Sequence, residues 1–359
     1  MASRTLLRPT GFVDAPFGHD GKVARLAGGL TFFAAVELLK VDGNRRVSTE
    51  LVPVEGVEDR FDDGMAAQWA ALTAPRQPLT LGTRTVRLDQ PQVMGILNVT
   101  PDSFSDGGNY AEAGPAVEAG VQMSSEGAAI LDVGGESTRP GAQQVWADDE
   151  IARVRPVVER LASSGAAVSI DTRKSEVMTA ALEAGAKLVN DVSALTFDPR
   201  SADIVAAAGV PIVLMHHLGQ PETMQQDPRY DDVLVEVYLW LEERIAAAEA
   251  AGIARSSILV DPGFGFGKAV AHNLELMNGL ALFHSLGCPI VLGASRKRTI
   301  GALSNEAPAD ARLGGSIGFA LKAVEQGVQV VRVHDVPETV QALRVWRGLR
   351  DQALTPRYA

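Results

Sequence analysis

The 359-residue chain lacks the features that mark several protein classes. Its single cysteine, Cys288, excludes a disulfide scaffold and any zinc site built on cysteines. It has no run of about 18 consecutive apolar residues, so we expect no membrane partner and no membrane-spanning helix. Basic residues are in the minority, 33 Lys and Arg against 44 Asp and Glu, and the net charge of −11 argues against a nucleic-acid partner.

The first residues also lack the apolar segment of a secretory signal. Together with the lone cysteine, this predicts a protein of the reducing cytoplasm. Acidic and basic residues balance over residues 1–90, so the whole net charge falls in the remainder of the chain. This imbalance supports a division of the chain in that region.

From residue 91 onward, one pattern recurs: a helical stretch ends in glycine, and an apolar run of strand length follows. With a first run at 93–99, there are eight runs rich in Val, Ile and Leu, as a parallel sheet covered on both faces requires. Eight strand–helix units in about 260 residues predict an α/β fold, a (β/α)8 TIM barrel. An open doubly wound sheet is the alternative. The seven glycines are Gly127, Gly165, Gly185, Gly209, Gly252, Gly287 and Gly327.

Two segments precede the barrel pattern. Residues 76–90 alternate in polarity around Gly82 and Thr83, which predicts a β-hairpin. We expect this N-terminal hairpin to plug the barrel mouth, so that the barrel domain spans residues 76–359. Residues 1–75 do not repeat the pattern, and we expect them to form an N-terminal extension of unknown role.

Polar residues cluster where the predicted strands end, which is where barrels build their sites. Asp171, Asn190 and Asp261 each close an apolar run. Carboxylates accept hydrogen bonds and an amide both donates and accepts, so the three together suit the edge of a flat heterocycle. Capping of the following loops is the alternative interpretation.

A second group suits an anion. Period two places Arg332 and His334 on one face of the last strand, and Lys297 follows the seventh strand. The alternative for Arg332 is an ion pair with a neighbouring acid. Asn98 is a neutral oxygen ligand that fits Mg²⁺ only if waters and a substrate phosphate complete the shell.

The Gly-rich run 261–268 is not a phosphate-binding P-loop, because Pro262 and Ala269 stand where that motif needs Gly and Ser or Thr. His216 and His217 are adjacent on a predicted strand and would point apart, which argues against a paired metal site.

The strand-end motifs resemble those of the dihydropteroate synthase family, in the family's order. The two longest are MGILNVTPDSFSDGG at 94–108 and DVGGESTRPG at 132–141. The shorter ones lie at residues 169–172, 190–191, 261–268, 295–297 and 332–335. The resemblance covers roughly residues 76–350.

The resemblance implies a transferase that joins 6-hydroxymethyl-7,8-dihydropterin diphosphate to 4-aminobenzoate. The products would be 7,8-dihydropteroate and diphosphate, with Mg²⁺ as cofactor and a homodimer as the assembly. The residues implied to contact the pterin are Asp171, Asn190, Met215, Asp261, Phe266 and Lys297. Those implied for the diphosphate are Asn98 (through Mg²⁺), Arg332 and His334. Those implied for the aminobenzoate and the mobile loops are Phe104, Thr138, Arg139, Pro140 and Ser295. Asp171, Lys297 and Arg332 are the implied catalytic residues.

The chain departs from the family pattern at Trp146, which we expect to start a helix, and at His217 and Leu218. Three alternatives remain open: a pterin-dependent methyltransferase barrel, which needs no diphosphate site; an aldolase forming a Schiff base on Lys297; and an inactive barrel whose extension docks a partner.

Overall fold

The computed structural model describes residues 4–99, 113–136, 145–219 and 224–355. Eight parallel strands form one sheet in the order β12-β11-β10-β9-β8-β7-β14-β13, and a parallel bridge between Val260 and Ile290 joins its two ends. The strands are β7 Gln92–Asn98, β8 Ile130–Gly134, β9 Val168–Asp171, β10 Leu188–Asp191, β11 Ile212–Met215, β12 Ile258–Asp261, β13 Val291–Leu292 and β14 Val330–Val333. The closed order excludes the open sheet, and the predicted TIM barrel is confirmed.

Helices alternate with these strands along the chain. They are α2 Ala113–Glu126, α3 Ala147–Ser163, α4 Ser175–Glu183, α5 Ser201–Ala208, α6 Val233–Ala250, α7 Val270–Gly279, α8 Arg298–Leu303, α9 Leu313–Glu325 and α10 Val336–Leu354. Trp146 is the residue before α3, as predicted, and is 82% exposed. No helix in the described ranges is both long and apolar enough to cross a bilayer.

The glycines that precede the strands have the predicted backbone conformation. All seven have positive φ, from 62° at Gly209 to 113° at Gly127. Gly209 is the C-cap of α5, and its amide donates to the carbonyls of Val205 and Ala206. An L side chain is strained in this conformation, so glycine ends the helix at little steric cost.

The hairpin formed by β5 Leu79–Leu81 and β6 Arg84–Val86 plugs the barrel, as predicted. Leu79, Leu81, Val86 and Leu88 belong to one buried cluster with one residue in or next to each of the eight barrel strands. These barrel residues are Met94, Ile130, Ala167, Leu188, Val213, Leu259, Val291 and Val330. The hairpin therefore completes the apolar bottom of the barrel interior.

The extension forms a four-stranded antiparallel sheet and one helix. Its elements are β1 Arg4–Val13, β2 Ala24–Arg25, β3 Phe32–Asp42, β4 Arg45–Pro53 and α1 Asp63–Thr73. The strands β1 and β3 are buried on both faces: Leu6 and Leu39 pack into the main barrel core, whereas Leu7 and Leu38 pack into a separate core with Leu72 of α1. Neighbouring strand residues point to opposite faces, so one sheet serves both cores.

Arg76 fixes the junction between extension and barrel. Its guanidinium is buried and donates to the carbonyls of Ala71 and Ala74 and, at 2.9 Å, to that of His284 on the barrel. Burial lowers the pKa of Arg76 to about 10 and that of His284 to about 3. The buried imidazole is thus neutral beside the guanidinium.

Replacing a plug residue tests this packing. Leu81→Ala removes a side chain that is 1% exposed, so we expect the free energy of unfolding to fall by about 2 to 5 kcal/mol in urea titrations. The matched control is Leu51→Ala on β4, 65% exposed, with an expected change within about 0.5 kcal/mol. Equal losses in the two variants would contradict the plug.

Candidate active site

A layer of polar side chains lies inside the barrel directly above the plug. Each member stands two positions after a residue of the plug cluster, so it points to the same, inner side of its strand. The polar side chains of this inner polar layer are those of Asp132, Asn190, Asp261 and Arg332, and Met215 and Gly293 stand at the same level of their strands. Asp171 stands four positions after Ala167 of that cluster, at the end of β9. Apolar side chains fill most barrel interiors, so this layer marks the site.

Arg332 joins three strands at the centre of the layer. Its Nε donates to Oδ2 of Asp132 at 2.5 Å, and its Nη2 donates to Oδ2 of Asp171 at 2.6 Å. Asn190 Nδ2 donates to the same Asp132 oxygen at 2.9 Å. The structure thus shows the ion pairing that was the alternative interpretation of Arg332, with two acids rather than one.

The pairing leaves one oxygen of each carboxylate available. Oδ1 of Asp132 and Oδ1 of Asp171 are buried and have no hydrogen-bond partner within the described ranges. A buried acceptor without a donor is unfavourable, so these two atoms are ready to receive N–H groups from a ligand. Burial opposes the charge on Arg332, but Asp132 and Asp171 outweigh it and raise the pKa of the guanidinium.

Two other groups of the site titrate near neutrality. Burial raises the pKa of Asp171 to about 7, although Arg332 opposes the shift. Burial lowers the pKa of Lys297 to about 7, although Asp261 opposes that shift. Lys297 donates to the carbonyl of Phe264 and lies 3.9 Å from the centre of the Phe266 ring.

The segment 261–268, which we call the Phe266 loop, needs its glycines for close approach. Gly263 has a φ of +69°, and a Cβ there would lie 1.7 Å from the carbonyl oxygen of His216. The loop begins at Asp261, whose Oδ1 accepts from the Gly263 amide at 2.7 Å. Lys268 at its end donates to the carbonyls of Gly263 and Phe266, both at 3.0 Å. This lysine is buried and holds the loop from inside.

Asn98, Ser295 and His334 stand two positions beyond the inner polar layer, at the barrel mouth. Ser295 Oγ lies 3.1 Å from His334 Nδ1 and also accepts from the His334 amide at 3.2 Å. The Asn98 side chain is half-buried and has no hydrogen-bond partner within the described ranges. The structure therefore brings together, at one end of the barrel, all the predicted site residues that it describes.

Phe104, Thr138, Arg139 and Pro140 lie outside the described residues.

Sequence reasoning assigned no role to Asp132, which is fully buried at the centre of the site. The sequence signal that could have identified Asp132 is an acid within the apolar run of β8. A similar signal, an acid that closes an apolar run, led to Asp171 and Asp261.

Sequence reasoning also missed a buried group at the end of β8. Lys174 Nζ contacts Glu136 Oε2 at 3.0 Å and Glu150 Oε2 at 2.5 Å. Burial raises the pKa of Glu150, although Lys174 opposes the shift. The three residues lie on different elements, so no local sequence pattern connects them.

Comparison with known proteins places this arrangement in a family. The family profile of pterin binding enzymes matches residues 94–334. The dihydropteroate synthase of Escherichia coli strain K12 is 49% identical over 272 residues, which are 76% of this chain and 96% of that protein. The dihydropteroate synthase of Mycobacterium leprae strain TN is 47% identical over 260 residues, 71% of this chain and 92% of that protein.

Solved structures agree. The Xanthomonas albilineans dihydropteroate synthase with 4-aminobenzoic acid has a TM-score of 0.73 at 48% identity, covering 78% of this chain and all of that one. The same enzyme in complex with 7,8-dihydropteroate has a TM-score of 0.69 at 46% identity, covering 77% of this chain and all of that one. The relatives are covered almost completely, whereas about a quarter of this chain has no counterpart in them. The chain belongs to the dihydropteroate synthase family.

Proposed function

We infer that the chain is a transferase that condenses 6-hydroxymethyl-7,8-dihydropterin diphosphate with 4-aminobenzoate to give 7,8-dihydropteroate and diphosphate. The observation that carries this inference is the inner polar layer, where Oδ1 of Asp132 and Oδ1 of Asp171 are buried acceptors with no donor within the described ranges. A pterin is a flat ring system with several N–H groups on one edge, which suits such acceptors. Structures of a relative with 4-aminobenzoic acid and with 7,8-dihydropteroate support the same substrate and product here.

The pterin would lie in the inner polar layer. Asp171 and Asn190 would contact its N–H and acceptor groups on one side, and Asp261 would do so on the other. Met215, 5% exposed, provides an apolar wall at the end of β11. Phe266 provides a second wall, and Lys297 against its ring would donate to a ring acceptor.

The diphosphate would lie at the barrel mouth. Arg332 and His334 stand on one face of β14, Arg332 deeper and His334 further out. The free amide of Asn98 on β7, the neighbouring strand, fits a single protein ligand for Mg²⁺. Within the described residues no group of three acidic, His or Cys side chains is placed to hold a metal. Waters and diphosphate oxygens would therefore supply the rest of the shell.

The aminobenzoate would enter beside Ser295, at the mouth. Phe104, Thr138, Arg139 and Pro140 carry the family motifs for this second pocket and remain predictions. Ser295 is 7% exposed and fixed by His334, so its hydroxyl has a defined position at the edge of the pocket.

The reaction needs no enzyme nucleophile. The bond between the pterin methylene and the diphosphate oxygen breaks first, and positive charge develops on the pterin. The carboxylates of Asp171 and Asp132 stabilise that charge, while Arg332 and His334 stabilise the negative charge on the leaving diphosphate. Bound Mg²⁺ would supply Lewis-acid stabilisation of the same diphosphate. The amine of 4-aminobenzoate then attacks the methylene and loses its proton.

We also propose that the chain acts in the cytoplasm as a homodimer. Val345 and Leu349 are one helical turn apart on α10 and are 63% and 68% exposed. Two large apolar side chains on one helix face suit a contact between copies.

Two substitutions test the site. Lys297→Ala and Arg332→Ala should each lower kcat/KM at least about 100-fold, because each residue supplies about 3 kcal/mol to the transition state. Diphosphate release with both substrates and Mg²⁺ is the assay. Arg298→Ala, which changes the exposed neighbour of Lys297, is the control and should keep near-normal kinetics. Near-normal kinetics in either site variant would remove that residue from the mechanism.

The pKa shifts predict a pH profile. Asp171 acts as an ionised carboxylate, so kcat/KM rises as the pH increases through about 7. Lys297 acts as a cation, so kcat/KM falls again as the pH increases beyond about 7. A narrow maximum near pH 7 should follow in rates measured from about pH 5.5 to about pH 9. In Lys297→Arg the cation persists, and the descending limb should disappear; its persistence would contradict the assignment.

The dimer has its own test. Leu349→Glu places a charge in the proposed contact, so sedimentation should show a monomer where the wild-type chain sediments as a dimer. Leu51→Glu, equally exposed but on the extension, should remain dimeric. A dimeric Leu349→Glu variant would place the interface elsewhere.

A further inference from the structure

A cavity of about 660 Å³ lies between the extension and the barrel, away from the inner polar layer. Arg4, Val41 and the turn at Gly43 and Asn44 line it from the extension. Residues of α6 and the loop after β11 line it from the barrel. Its volume is in the range of small-molecule sites.

Ion pairs hold the two walls of the cavity together. Arg4 pairs with Glu242 of α6 at 2.9 Å. Arg46, just past the β3–β4 turn, donates to Asp232 at 2.9 Å, and Asp232 caps the N-terminus of α6. The extension therefore fixes the shape of this cavity, and it lies in the quarter of the chain that has no counterpart in the relatives compared above.

The lining has a defined chemistry. Trp240 and Tyr230 provide aromatic surface, and Glu236, Glu242 and Glu243 provide three carboxylates. Arg4 is the one cationic side chain in the described lining, and Glu242 already pairs with it. Glu243 pairs with Arg244 at 3.3 Å, and Glu236 accepts from the backbone amides of Asp231 and Asp232. Three carboxylates against Arg4 and Arg244 leave the surroundings of the cavity with one net negative charge. This charge and the aromatic faces both attract an organic cation, and an aromatic ring adds stacking area.

Two lining residues also hold the Phe266 loop of the pterin site. His216 packs edge-on against Trp240 at 4.9 Å between ring centres, and its Nδ1 lies 2.8 Å from Lys268 Nζ. Tyr230 donates its hydroxyl proton to the carbonyl of Gly267 at 2.9 Å. An occupant of the cavity would therefore contact two side chains that hold the loop carrying Phe266.

We propose that this cavity is a second ligand site, for an organic cation with an aromatic ring, and that its occupant tightens pterin binding through His216 and Tyr230. The pterin and the occupant of the cavity would contact the same loop from opposite sides, so each would change the free energy with which the other binds. The first part of the proposal, that the cavity binds a ligand, is independent of the proposed function, and we call it the binding step. The second part, that this ligand tightens pterin binding, rests on the proposed function, and we call it the coupling step.

Calorimetry of the full-length protein with phenethylamine tests the binding step. We expect one site per chain, with at least about tenfold weaker binding of 2-phenylethanol, which has the same ring without the charge. Glu243→Gln should weaken phenethylamine binding about threefold or more, because it removes a lining carboxylate that is itself exposed. Glu325→Gln, an exposed helical glutamate on α9 outside the cavity lining, is the matched control and should bind as the wild type does.

Titration of dihydropterin diphosphate with and without saturating phenethylamine tests the coupling step. We expect the Kd of the pterin to fall about threefold or more, and the Kd of phenethylamine to fall by the same factor in the presence of pterin. Tyr230→Phe removes the bond to Gly267 and should still bind phenethylamine with a reduced coupling factor.

Absence of binding at millimolar phenethylamine, or equal binding by wild type and Glu243→Gln, would overturn the site. Unchanged pterin affinity in saturating phenethylamine would overturn the coupling. Failure of the chain to bind the pterin at all would instead overturn the proposed function, and the calorimetric result for the cavity would still decide the binding step.

Discussion

The bridge from Arg332 to Asp132 and Asp171 is the interaction on which the site depends. Two carboxylates inside a barrel would repel each other and lose hydration, so they need a buried cation between them. The guanidinium meets that need in a planar, forked geometry that a lysine lacks. Each carboxylate uses one oxygen for Arg332, which leaves the other for a ligand. One cation therefore both permits the acids to be buried and keeps half of their acceptor capacity available.

The two lysines of the site also differ in how many of their polar contacts the protein itself supplies. Lys268 and Lys297 are both buried, and burial lowers the pKa of each. Lys268 is surrounded by two carbonyls and the His216 ring, so its polar contacts are satisfied inside the protein. Lys297 has one carbonyl and the face of Phe266, and it lies within the charge field of Asp261 and Asp171. The first lysine holds the Phe266 loop, and the second is the one that we propose to contact the substrate.

The sequence was sufficient to predict the barrel, the hairpin plug and the clustering of polar residues at the strand ends. The reason is that each rests on local rules: a glycine after a helix, an apolar run, a polar residue at its end. It was not sufficient to predict the partners of Arg332, which lie 200 and 161 residues earlier in the chain. Which acid a long side chain reaches depends on how neighbouring strands are staggered, and no local pattern records that.

The extension shows a similar limit and its consequence. The sequence of residues 1–75 showed only that the barrel pattern does not extend there. The sheet was not visible, because β1 pairs with β3 rather than with β2, its neighbour in sequence. That sheet packs against α6, and α6 contains Trp240, which packs against His216. His216 in turn contacts the lysine that holds the Phe266 loop. The extension is thus connected, through three side chains, to the Phe266 loop, which we propose as a wall of the pterin site.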